Sequence, residues 1–210
     1  MSVGRIIHGP EDVAEGAAWL AKTEPRFAHA LEQTGPLPLR RKPEGFDQLL
    51  SAIVSQQLSV AAAATIWGRM ETAGLDDAAA IAEAPDEVLR EVGLSRQKIR
   101  YARALAEAGI DFDALAHLPD DEVVAELTAV PGIGRWTAEI YAMFSLGRAD
   151  IFAPADLALQ ESTRILFDLH ERPREAAMRS MAEEWSPWRG VAARALWAYY
   201  RVAKNREGVR

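Results

Sequence analysis

The segment Leu127-Thr-Ala-Val-Pro-Gly-Ile-Gly-Arg-Trp-Thr-Ala-Glu139 carries the most chemistry in this chain. Helical spacing runs to about Ala129, a Pro-Gly-Ile-Gly turn interrupts it, and a second helix starts near Gly134. Gly132 and Gly134 permit backbone angles and close approaches that a side chain would block. Amides at the start of a helix lack intrahelical acceptors and sit at the positive end of its dipole. Gly132, Ile133, Gly134 and Arg135 therefore offer donors to a phosphate oxygen, and such a turn holds a nucleic-acid backbone without reading its sequence. A bare Pro-Gly-x-Gly is also the signature of a plain helix–helix corner.

A second candidate lies near the C-terminus. Trp188, Val191, Ala195, Tyr199 and Val202 trace a core stripe at helical spacing, and Trp197 falls off it. Trp197 shares the other face with Arg194, Arg201 and Lys204, a pattern suited to stacking and phosphate contact. Cysteine is absent, which removes disulfides, thiol catalysis, Cys-type zinc sites and any iron–sulfur cluster. His8, His29, His117 and His170 match no metal-ligand spacing. The net charge of −7 argues against a nucleic-acid partner, but its distribution argues for one. Asp120, Asp121, Glu122 and Glu126 share an acidic stretch, whereas Arg40-Arg41-Lys42, the run with Arg96, Lys98, Arg100 and Arg103, and the segment 185–210 are basic. A local basic face attracts phosphates whatever the total charge, although any one cluster is also what a solvated surface shows.

The elements that must position these residues are all helical. Apolar residues recur at a period near 3.6, most clearly in Phe46, Leu49, Leu50, Ile53, Val54 and Leu58, and strand alternation is rare. Pro and Gly punctuation yields roughly eleven to thirteen short helices, an all-α globular chain with no repeat. Residues 1–42 read as N-terminal helices packing on the C-terminal lobe, 43–210 as the core, and Arg40–Gly45 as the linker. No signal peptide or stretch of ~18 apolar residues is present, so a cytoplasmic protein with no membrane association is expected.

With Leu127 and Val130 before the turn and Arg135 and Ala138 after it, the hairpin resembles that of the DNA glycosylase superfamily named for its helix-hairpin-helix, Gly/Pro-rich loop and Asp. That family places its Asp about twenty residues beyond the hairpin, where Phe152-Ala-Pro-Ala-Asp156 stands here. The 3-methyladenine DNA glycosylase II (AlkA-type) branch fits best, from about Phe46 to Tyr200. The resemblance implies two packed helical lobes with the active-site cleft between them, and hydrolytic removal of alkylated purines of the 3-methyladenine and 7-methylguanine type from double-stranded DNA. It makes Asp156 the catalytic carboxylate, stabilising an oxocarbenium-like sugar or activating water. Locally, Asp156 after Pro154 also reads as a helix N-cap. Alkylated purines are cationic leaving groups, so little general-acid help is required, and the target base must be flipped out of the duplex.

Bifunctional members carry a Schiff-base Lys two residues after the last hairpin Gly. Trp136 occupies that place, which implies a monofunctional enzyme without AP-lyase activity. Trp136 can stack on a cationic purine, or belong to a Trp136–Ile140–Phe144 core stripe. The resemblance makes Trp197 a wall of the base pocket, with Tyr141 and Tyr200 as further candidates. It assigns the plug for the flipped nucleotide's vacancy to Gln57, flanked by Gln56 and Leu58, where the familiar enzyme has Leu; the same residues also suit a helix boundary. It further implies that backbone carbonyls of Thr128, Val130 and Ile133 hold a structural Na+ or K+, with no catalytic cofactor, and that the protein acts as a monomer. Two departures stand out: no N-terminal β-rich domain precedes Phe46, and Gln160 and Glu161 replace the basic residues common after the Asp. A non-catalytic DNA-binding hairpin module and a glycosylase for deaminated bases are the competing readings.

Overall fold

Residues 3–204 are described by the structure, a computed structural model; the final part of the basic C-terminal run, 205–210, lies outside them. Helices account for the described chain: α1 (Pro10–Thr23), α2 (Pro25–Thr34), α3 (Phe46–Ser55), α4 (Val60–Thr72), α5 (Ala78–Glu83), α6 (Asp86–Glu91), α7 (Arg96–Glu107), α8 (Phe112–Leu115), α9 (Asp120–Thr128), α10 (Arg135–Phe144), α11 (Leu157–Leu166), α12 (Glu175–Glu183) and α13 (Arg189–Lys204). The only extended pairing among the described residues is an isolated bridge between Ile6 and Arg148. The all-α reading is correct. No helix of the described residues is long and apolar enough to cross a membrane.

The chain divides into two units, one of residues 42–141 and one that joins residues 3–41 to the segment from Ala142 onward. The break at Tyr141/Ala142 falls inside α10, where no Pro or Gly marks it.

In the first unit α7 is the central element and packs against α3, α5 and α6. Ile99, Ala102 and Leu105 face inward from it, and Leu49, Leu50, Ile53 and Val54 of α3 are buried. Helix starts are fixed by side-chain caps: Ser59 accepts from Ala62, Asp77 from Ala80, Ser95 from Lys98 and Asp111 from Ala114. Each cap contributes about 1 kcal/mol. Arg103 of the predicted basic run is consumed structurally, since it donates to the carbonyls of Ile81, Ala82 and Ala84 at the end of α5.

In the second unit α13 is surrounded by α1, α2 and α11. Every residue from Gly190 to Ala198 is buried, so the amphipathic reading of this helix is overturned. An element packed on several sides has no solvent face to mark by periodicity. Val202, expected in the core stripe, is instead 48% exposed. Trp185 anchors the packing beside α2, with its ring centroid 5.3 Å from Phe27, 5.5 Å from Phe152 and 5.9 Å from Phe167.

Candidate functional site

The first unit presents the hairpin. Helix α9 ends at Thr128, and the turn closes through Ile133 N donating to the Val130 carbonyl at 3.0 Å. Gly132 has φ +96, and a Cβ there would lie 2.4 Å from Cγ of Tyr101, so backbone angle and packing both require glycine. Gly134 differs: a Cβ on it would meet nothing among the described residues. The fold itself makes no steric demand there.

Two supports under the hairpin were not visible in the sequence. Tyr101 of α7 lies beneath Gly132 and is itself held by Gln97, whose amide donates to the phenol oxygen at 2.7 Å. Gln56 donates its side-chain amide to the Gly132 carbonyl at 2.8 Å, joining the turn after α3 to the hairpin. Lys98 of α7 donates to the Val54 carbonyl at 2.5 Å, which ties the end of α3 to the same helix. Of the three plug candidates, then, Gln56 is a brace. Gln57 sits at the tip with φ +58, a left-handed conformation costly for a residue with a Cβ, and Leu58 is 39% exposed.

Trp136 is 38% exposed, which overturns its alternative reading as a core residue. Arg135 beside it is exposed but donates through Nε to the buried Glu139 carboxylate at 3.0 Å. Tyr141 is buried, its hydroxyl accepts from the Gly45 amide at 2.9 Å, and burial pushes the phenol up to about 12. It holds the start of α3 and offers no open ring face, contrary to its assignment to a pocket.

The second unit holds Asp156. Phe152 and Ala153 are buried, the chain turns through Pro154 and Ala155, and Asp156 N returns to the Ala153 carbonyl at 3.0 Å. Asp156 caps α11: its Oδ1 accepts from Ala158 N at 2.9 Å and Leu159 N at 3.0 Å. The same Oδ1 accepts from Nε1 of Trp197 at 3.2 Å. The residue is only 6% exposed. The N-cap reading is therefore true and coexists with a held carboxylate. Three donors on one oxygen fix the carboxylate plane at the start of α11. Gln160 donates to the Pro154 carbonyl at 2.8 Å, and Ser162 donates to the Leu196 carbonyl at 2.7 Å, fastening α11 to α13 beside Trp197.

Trp197 is fully buried, as is Arg194 at 1% exposure, so neither lies on an exposed DNA face. Their face of α13 is covered: Trp197 stacks near Phe144 with centroids 5.7 Å apart, and Arg194 lies over Phe144 at 4.9 Å. Arg194 donates to the carbonyls of Leu39 at 3.2 Å and Gly190 at 2.7 Å. Burial, with Arg40 and Arg41 nearby, pushes its guanidinium down to about 9, still cationic at neutral pH. Tyr200 and Arg201 are half-buried. Lys204 is exposed and pairs with Glu161 at 3.1 Å. Glu161 also binds Arg164, and these partners lower its carboxyl to about 2.

No group of His, Asp or Glu suited to a metal ion exists among the described residues. At the hairpin the candidate donors are neutral carbonyls, a set suited to a hard monovalent cation, and that of Val130 already accepts from Ile133.

A hairpin held from below and a carboxylate immobilised at a helix start define a base-excision repair fold. The chain belongs to the HhH-GPD superfamily of base excision DNA repair proteins, whose family model matches residues 50–187. DNA-3-methyladenine glycosylase 1 of Schizosaccharomyces pombe is 31% identical over 178 residues, covering 80% of this chain and 78% of the relative. YfjP of Bacillus subtilis is 30% identical over 165 residues, covering 72% of this chain; the chain spans 58% of YfjP's length. Among solved structures, the Schizosaccharomyces pombe 3-methyladenine DNA glycosylase Mag1 in complex with abasic DNA superimposes with a TM-score of 0.78 at 27% identity, covering 93% of this chain and all of that one.

Proposed function

We propose that this protein is a monofunctional glycosylase that hydrolyses the N-glycosidic bond of alkylated purines in double-stranded DNA. The observation that carries the proposal is Asp156: a buried carboxylate with three N–H donors on one oxygen, at the family's Asp position. Held this way, it stabilises positive charge developing on the sugar as the bond to the base breaks, and it can orient the attacking water. The hairpin grips the backbone through the amides of Gly132, Gly134 and Arg135, since that of Ile133 is spent inside the turn, and the open space at Gly134 suits a phosphate approaching the main chain. A monovalent cation on the carbonyls of Thr128, Val130 and Ile133 belongs to that grip as a structural element; catalysis itself uses no cofactor. Gln57 fills the place of the flipped nucleotide.

Trp136 supports the restriction to base removal. An indole cannot form the Schiff base of strand cleavage, whereas its exposed ring can stack on an electron-poor base. The DNA-bound relative supports duplex DNA as the partner. The protein acts as a monomer in the cytoplasm on chromosomal DNA. A panel of duplexes carrying 3-methyladenine, 7-methylguanine, uracil or hypoxanthine, scored for released base and for nicking, tests the proposal. Release of methylpurines without nicking is expected. Release of only deaminated bases, binding without any release, or nicking without added alkali each contradicts it.

A further inference from the structure

The second unit contains a cluster of three arginines, Arg40, Arg194 and Arg201, none of which forms an ion pair among the described residues. Arg194 is buried in α13, and its Nη2 has no hydrogen-bond partner among the described residues. Its other nitrogens hold the Leu39 and Gly190 carbonyls, so the backbone just before Arg40 is fixed by Arg194 itself. Arg40 is half-buried, has φ +54, and places its guanidinium 5.9 Å from the ring centre of Trp197. A left-handed arginine persists only where its surroundings over-determine it. Arg201, one turn beyond Trp197, repels Arg40. The one acid within α11, Glu161, is already occupied by Arg164 and Lys204.

Gathering desolvated guanidiniums without a counter-charge is costly unless an anion completes the group. A guanidinium fork is the side chain best shaped to hold phosphate oxygens. The wall shared by this cluster and the carboxylate is a single indole, since Trp197 donates to Asp156 and carries Arg40 over its ring. An anion at Arg40 and Arg201 would thus sit within reach of the strand whose sugar lies at Asp156. We propose that Arg40 and Arg201, backed by the buried Arg194, bind a backbone phosphate of the damaged strand, as a grip additional to the hairpin. The inference rests on the reading of DNA as substrate given above.

The test measures affinity of the full-length protein for a duplex with one abasic site, across a salt series, for Arg40→Gln and Arg201→Gln. Each variant is expected to bind about tenfold more weakly, with the slope of log affinity against log salt reduced by about one. Arg40→Lys and Arg201→Lys retain the point charge and keep the slope, and Arg90→Gln, an exposed arginine paired with Asp86 and Glu87, serves as control. Thermal melts confirm that each variant is folded. Folded Gln variants with the wild-type slope and affinity overturn the proposal. Thermal stabilisation of wild type by inorganic phosphate, lost in the Gln variants while their DNA slope stays unchanged, assigns the site to free phosphate and overturns the DNA assignment. A reduced slope in a protein that releases no base from any lesion leaves the phosphate site standing and refutes the glycosylase reading instead.

Discussion

Asp156 caps α11 in the structure and carries the reaction in the proposed function, and a pair of substitutions separates the two. In Asp156→Asn the amide oxygen replaces Oδ1 and can still accept from Ala158 N, Leu159 N and Trp197 Nε1. Asparagine caps helices about as well as aspartate, so the stability loss is about 1 kcal/mol, from weakening charge-assisted bonds. Asp156→Ala removes the cap, worth about 1 kcal/mol, and orphans the buried indole N–H, worth about another 2 kcal/mol. Its expected loss is therefore about 3 kcal/mol. Under the proposed function catalysis follows a different order, because both variants remove the charge assigned to the sugar. Removing one preorganised electrostatic partner of a transition state costs about two to three orders of magnitude in rate, so both variants should release methylpurine that much more slowly. Urea unfolding monitored by tryptophan fluorescence gives the stabilities, and single-turnover release from a methylated duplex gives the rates. Wild-type release by Asp156→Asn would refute the catalytic assignment. Loss of ~3 kcal/mol by the same variant would show that the charge serves the fold rather than the reaction.

Other consequences can be checked in the same assays. Trp136→Ala should slow release of a cationic methylpurine at least tenfold, the value of one lost stacking contact, while global stability falls by about 1 kcal/mol because the ring is only partly exposed. Gly132→Ala should cost about 2–3 kcal/mol in urea unfolding, since its Cβ meets Tyr101 at a residue with φ +96. Gln56→Ala, which frees the turn after α3 from the Gly132 carbonyl, should weaken binding of abasic duplex; unchanged affinity would show that this brace is dispensable. Glu161 supplies a pH dependence. Its carboxyl is lower in the fold than in the unfolded chain, so its contribution is present above the ordinary glutamate range and is lost as pH falls toward about 2. Glu161→Gln should flatten that acid limb of the urea midpoint against pH.

Much of the molecule was legible in local pattern. Pro and Gly punctuation gave the number and nature of the helices because turns demand particular backbone angles wherever they occur. The hairpin and Asp156 were visible for a related reason: a Gly-rich turn before a helix and an Asp at a helix start are local solutions to unpaired amides. Trp136 allowed stacking on a base or a place in a core stripe, and its exposure removes the second.

What failed depended on which elements surround which. Periodicity on α13 suggested a wet face at Arg194, Trp197, Arg201 and Lys204, but α1, α2 and α11 cover the helix at Arg194 and Trp197, while Arg201 is half-buried and Lys204 exposed. Trp197 and Arg194 are consequently interior, one holding Asp156 and the other holding the chain before Arg40. The brace from Gln56 to Gly132 and the Tyr101 ring beneath that glycine link residues far apart in sequence, and no local rule encodes such contacts. The sequence by itself determined the helices, the turn that offers amides and the carboxylate that caps its helix, because each is set by neighbours within a few residues. Only the tertiary structure decided how that carboxylate is held, which rings are buried and where the arginines gather, because burial and charge pairing depend on long-range packing.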